Sequence, residues 1–267
     1  MRTLTRALVL VVATVTAPLA ARGQDFRVDT ELFVGTEKTP ALETLTIFTD
    51  GLVYDFVLTE PREVVILDTQ RGRFSLLDES RQVRASMATQ DLLDFTLALE
   101  SHAATGKNAL LAFAARPKFQ TAEKTVDENG QSLLELRLSG KPIEYVVLGA
   151  RSERPEAAKI YRHFADWYAR LNATRPGNLP AGARLAVNEE LGRRELLPRE
   201  VTRIITPANP LARKLEVKTR HLVNWTLSGE DRRRIERAGD WLATYRPISY
   251  DEYRGANRQP PAQQAKR

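Results

Sequence analysis

Leu45-Thr46-Ile47-Phe48-Thr49-Asp50-Gly51-Leu52-Val53-Tyr54-Asp55-Phe56 is the stretch whose reading decides the fold. Asp-Gly between two alternating apolar runs predicts a two-residue hairpin, because a type I′ turn needs positive φ at both central residues. By the two-residue period of a strand, Leu52, Tyr54, Phe56 and Leu58 share one face. Working outward, further short apolar runs follow at Phe26–Gly35, Glu63–Asp68, Arg73–Asp78 and Gln82–Met87, with only a few residues between them. Connections that short join antiparallel neighbours, since a parallel crossover needs a dozen residues or more. Val64–Leu67 is apolar on both faces, as expected of a strand covered on both sides.

Downstream, Thr89–His102 reads as a helix with Thr89 as its N-cap and Leu92, Phe95 and Leu99 on one face. Leu110–Phe113 is a short apolar run. Lys118–Val126, Ser132–Leu138 and Ile143–Leu148 resume the strand pattern around turns at 127–130 and 140–142. Pro155–Ala173 carries Ile160, Phe164, Trp167, Tyr168 and Leu171 as an apolar helical stripe, flanked by Tyr161 and His163, and opens on a proline suited to a first turn. Ala181–Arg194 reads as a shorter helix ended by Pro198, ahead of a strand at Glu200–Thr206. Leu215–Trp225 alternates as a long strand with one polar face and His221 on the inward set. Ser228, with Asp231 three residues on, forms a capping box for a last helix through Ile235, Ala238, Leu242 and Tyr245.

At the amino end, Arg2 and Arg6, the apolar stretch Ala7–Ala17 and small residues up to Gly23 read as a secretory signal peptide over residues 1–23. Residues 24–253 then form a single domain with a helical addition around 153–197, and the polar, Pro- and Gln-rich residues 254–267 read as a disordered tail. A signal peptide implies a periplasmic or secreted protein. The chain has no cysteine, which excludes disulfides, thiolate metal sites and cysteine nucleophiles.

Charge is uneven along the chain. Residues 24–150 hold 13 Lys+Arg against 20 Asp+Glu, and residues 151–267 hold 24 against 14. The basic half is a candidate surface for an acidic partner or a membrane; the alternative is that the two halves simply attract each other. Arg232, Arg233, Arg234 and Arg237 crowd the start of the last helix, either as an anionic-headgroup contact or as a solvated face. Nucleic acid is not an expected partner, because aromatic residues interleave poorly with the basic ones.

The sequence shows no nucleophile elbow, phosphate-binding glycine loop, dinucleotide fingerprint or paired zinc histidines. No catalytic residue, metal or cofactor is therefore assigned. Asp68 and Asp78 both close strands, which suits either an acid/base pair or two turn caps. Asp127-Glu128-Asn129-Gly130 has the flavour of a calcium loop but lacks its ligand spacing.

The run Phe48–Phe56 followed by Val65-Ile66-Leu67-Asp68 resembles the periplasmic lipoprotein carriers of the LolA/LolB-like superfamily, which place an Asp-Gly hairpin and an aromatic strand at like positions. The resemblance implies an α+β protein: a curved antiparallel β-sheet, half-open and barrel-like, covered by helices. It further implies non-enzymatic binding of a lipid, an acylated protein or another apolar ligand. Phe48, Tyr54, Phe56, Phe74 and Leu76 are the candidate ligand-lining residues, with ordinary core positions as the alternative. A scaffold with a filled core, or a hydrolase without a local motif, are the other readings.

Overall fold

The structure, a computed structural model, describes residues 25–128, 130–209 and 211–256. The first six strands are β1 (Phe26–Val34), β2 (Leu42–Thr49), β3 (Leu52–Val57), β4 (Glu63–Asp68), β5 (Arg73–Asp78) and β6 (Val83–Ala88). They form the expected antiparallel meander. Asp50 and Gly51 take φ of 48° and 77°, the positive values that a two-residue hairpin of this type requires. Helices α1 (Thr89–Thr105) and α2 (Ala109–Ala115) follow, then β7 (Gln120–Glu128), β8 (Gln131–Ser139) and β9 (Ile143–Arg151). Next come α3 (Pro155–Ala173), α4 (Gly182–Arg193), β10 (Leu196–Ile205) and β11 (Leu215–Asn224). The described chain closes with α5 (Gly229–Thr244), the two-residue β12 (Arg246–Pro247) and α6 (Tyr250–Ala256).

The described strands make one mixed sheet of twelve, in the order β12-β6-β5-β4-β3-β2-β1-β11-β10-β9-β8-β7, which does not close on itself. Pairing is antiparallel except for β12, which runs parallel to β6. β1 and β11 join the first meander to the second along eight residue pairs. One outer strand is β7, nearly all exposed and carrying Glu123, Lys124, Asp127 and Glu128, charges that discourage strand addition.

Register sorts the side chains into three apolar clusters. On one face of β1–β6, Phe26, Phe48, Val53, Leu67, Phe74 and Leu76 meet Ala157, Tyr161, Phe164 and Leu171 of α3 and Leu92 of α1. On the opposite face, Leu45, Ile47, Tyr54, Phe56, Val64, Ile66 and Leu77 meet Ala238 of α5, with Ile235, Trp241 and Leu242 at its edge. The third cluster joins Leu136, Leu138, Tyr145, Val147 and Val201 to Ala183, Val187 and Leu191 of α4 and Ala114 of α2.

Several expectations are corrected. Thr89 is not the cap of α1: Ala88 holds that place without a side-chain bond, and the Thr89 hydroxyl instead donates to the Gly72 carbonyl at 3.0 Å. Phe95 is 42% exposed, because α1 turns only Leu92, Thr96 and Ala103 fully inward. Leu110–Phe113, read only as a short apolar run and so not contradicted, lies in α2, capped by the Asn108 side chain, which accepts from Leu110 and Leu111 N–H. Pro198 sits inside β10 rather than before it; a register shift between Pro198 and Glu200 absorbs its missing donor. Arg254–Ala256 are helical where a disordered tail was expected, held by Arg254, which donates to the Thr174 carbonyl. The remaining tail and the signal segment of residues 1–23 lie outside the described residues. The capping box of α5 is present as expected, with Ser228 and Asp231 bonded reciprocally.

Candidate functional site

The tip of the β2–β3 hairpin and the first turns of α3 face each other across a half-open groove of about 440 Å³. Phe48, Thr49, Leu52 and Val53 line it from the sheet, Asp50, Gly51 and Thr69 from the adjoining turns, and Lys159, Ile160 and His163 from α3. Phe48 is fixed by a parallel stack on Phe26 at 4.2 Å and an edge-on contact with Phe164 at 5.7 Å. The turns are locked together, since Thr69 donates through both its N–H (3.2 Å) and its hydroxyl (2.6 Å) to the Gly51 carbonyl.

Ile160 is 37% exposed and borders the groove; the rest of the helical stripe read from sequence faces the core, with Phe164 and Leu171 buried and Trp167 and Tyr168 packed against the first cluster, and Tyr161, a flanking residue in that reading, is buried as well. Lys159 lies at the rim with its ammonium donating to Glu156 at 2.6 Å, a bond that raises its pKa. The groove is thus apolar at its floor and polar at its edge, an arrangement suited to an amphiphile.

Of the five residues expected to line a trough, the structure brings only Phe48 to this groove. Phe74 and Leu76 share its sheet face but are fully buried in the first cluster. Tyr54 and Phe56 lie on the opposite face, stacked 6.3 Å apart and packed with α5 residues. The five do not line one cavity. The cause was legible: a two-residue turn at Asp50-Gly51 pairs Thr49 with Leu52 and Phe48 with Val53, which sends Tyr54 to the other side. Ile160 and Lys159 had no signal beyond their helical spacing.

The two strand-end aspartates are turn caps. Asp68 accepts from Gln70 N–H at 3.1 Å and Arg71 N–H at 2.9 Å, and these bonds, with Arg71 first, lower its pKa. Asp78 accepts from Ser80, Arg81 N–H and Arg81 Nε at 2.7–2.8 Å; burial works against its charge, but those bonds together outweigh it and its pKa falls. No cluster of His, Asp or Glu among the described residues could hold a metal ion.

A buried polar row that the sequence did not flag runs beside the first cluster. Asp55, 2% exposed, accepts from the Thr46 hydroxyl at 2.6 Å, while its Oδ2 is buried without a hydrogen-bond partner. Burial pushes its carboxyl up from the ordinary value, and pushes the nearby Tyr168 phenol well up. Glu63 is paired with Arg175. Asp55 is not part of the groove lining. His221 sits between two threonines, Nδ1 3.0 Å from Thr30 Oγ1 and Nε2 2.9 Å from Thr219 Oγ1, and burial lowers its pKa to about 3. It is a neutral, satisfied histidine.

No family model matches the chain, and no curated protein matches it. Among solved structures it is similar to PNGF-II, in a P21 crystal form (TM-score 0.39, 10% identity, 87% of this chain and 32% of that one) and in a C2 form (0.36, 11%, 85% and 31%). The chain spans about a third of the length of those proteins, and likeness at that level assigns no activity.

Proposed function

We propose that the chain is an exported protein of the bacterial envelope that binds, without chemistry, a lipid, an acyl-bearing protein or another apolar ligand. The observation that carries this reading is the groove between the β2–β3 hairpin and α3: apolar at Phe48, Leu52, Val53 and Ile160, polar at its rim, and of a volume within the range of about 300–1,000 Å³ typical of ligand pockets. In this reading the open sheet curves as a half-barrel under its helices, as in the LolA/LolB-like carriers. The signal segment delivers it to the periplasm or beyond, and the basic carboxyl-terminal half meets the membrane surface or an acidic partner.

The test is uptake of a fluorescent fatty acid, and native mass spectrometry of protein prepared from periplasm without detergent. Saturable uptake or a lipid-sized adduct is expected, reduced at least tenfold in Ile160→Asp, which alters a surface position of α3 and leaves the core intact. A clean unliganded mass together with no uptake sinks the proposal. A second reading, a scaffold with a filled core, draws support from the dense apolar clusters on both faces of β2–β5. That outcome leaves it in front.

A further inference from the structure

On the sheet face that bears α3 and α4, register sets Arg203 of β10 beside Val217 of β11, with Thr219 and His221 further along β11 opposite Leu32 and Thr30 of β1. No carboxylate stands on this face of these three strands. α4 adds Arg184. Its neighbour Ala183 is buried in the same cluster as Val201 and Tyr145, which flank Arg203 along its own strand and across to β9. Burial first, and the Arg184 charge after it, lowers the His221 pKa.

Both arginines are half-buried. Elsewhere, half-buried arginines have partners: Arg27 meets Asp231 at 2.9 Å, Arg194 meets Glu190 at 2.6 Å and Arg175 meets Glu63, while Arg84 and Arg170 donate to the Tyr245 and Asp166 carbonyls at 3.1 and 3.0 Å and Arg154 lies over the Trp225 ring at 4.9 Å. Among the described residues Arg184 and Arg203 meet no acid, and Arg203 Nε is buried with no hydrogen-bond partner at all. A guanidinium withdrawn from water without a counter-charge is costly, and its planar fork suits a carboxylate or phosphate. The neighbouring groups do not supply that charge. His221 is neutral, its two ring nitrogens are engaged by Thr30 and Thr219, and the Thr219 hydroxyl lies 3.4 Å from the Val201 carbonyl.

We infer that Arg184 and Arg203 form a binding site for an oxyanion, the carboxylate or phosphate group of a small ligand, on the helix-bearing face of β10 and β11. This site lies apart from the hairpin groove and shares none of its lining residues.

The experiment is calorimetric titration of the full chain with inorganic phosphate, and separately with acetate, at constant ionic strength. The His221 ring signals are followed by NMR in parallel. One-site saturation with at least one probe is expected, with displacement of the His221 ring signals. Affinity should fall at least tenfold in Arg184→Gln and in Arg203→Gln, while Arg203→Lys, which keeps the charge but not the fork, falls between. Circular dichroism checks that each variant is folded. Phosphate binding alone points to a phosphoryl ligand and acetate binding to a carboxylate. No saturable binding of either probe by the unaltered chain, or affinity unchanged in both glutamine variants, overturns the inference.

Discussion

β4 and β9 are both central strands, yet they are buried differently. In β4 five successive residues, Glu63 to Leu67, are buried; in β9 burial alternates from Ile143 to Gly149. β4 lies between the cluster under α3 and the cluster under α5. β9 has the α4 cluster on one side only. On its other side run charged ladders: Lys124–Glu135 at 3.2 Å, Lys218–Glu200 at 3.1 Å, Arg220–Glu200 at 3.6 Å, and Arg137 paired with Glu144. Arg220 also lies over the Phe33 ring at 5.1 Å. One sheet thus carries apolar clusters on both faces at one end and on one face at the other. A strand's pattern reports how many layers contact it, not which sheet it belongs to.

The sharpest way to break this comparison is to truncate one residue in each half. Leu67→Ala, in the doubly covered half, should cost about 2–5 kcal/mol, whereas Leu148→Ala, on the open side of β9, should cost less than about 1 kcal/mol. Urea denaturation measures both, and equal costs would refute the difference in layering.

His221 sharpens the comparison at the seam where β11 joins β1. Its folded pKa, about 3, lies below the unfolded value near 6.5, so its contribution to stability is present above the unfolded pKa and is lost as pH falls from about 6.5 towards 3. Replacing it with Gln should reduce that acid-side loss by about 1–3 kcal/mol, read from unfolding midpoints between pH 4 and 7.

Asp55 tests the doubly covered half from within. Its pKa is raised by burial, so its contribution is fully present below the unfolded pKa and declines as pH rises through the folded pKa. Asp55→Asn keeps an acceptor for the Thr46 hydroxyl and removes this titration, so the decline of stability with rising pH should flatten, read from unfolding midpoints across the pH range. A loss of stability at pH 7 would show that the buried charge has a compensating partner.

The smallest effect belongs to the open face. Glu200→Gln breaks two half-exposed pairs and should cost about 0–1 kcal/mol, less at high salt. A cost of several kcal/mol would mean that this face is covered in solution.

Most of the elements were legible because their signals are local. Asp50-Gly51 dictates its turn, Ser228 and Asp231 their cap, and Pro155 the start of α3. The candidate site was legible only in part. Of the residues expected to line a ligand trough, Phe48 lies at the groove, whereas Tyr54 and Phe56 were grouped with it although the hairpin register separates them. Ile160 was read as core from helical spacing, yet α3 rests on the sheet through Tyr161 and Phe164. Spacing names the residues of a stripe; the angle at which the helix docks decides which of them the sheet covers.

By itself, then, the sequence determined the strands, their antiparallel order through β6, the turn at Asp50-Gly51 and the main helices, since these depend on backbone preference and on contacts a few residues apart. Tertiary structure decided the pairing of β1 with β11, the apolar clusters on each half and the groove between the hairpin and α3. Those features join residues far apart in the chain, and no short-range propensity encodes which distant surfaces will be buried against each other.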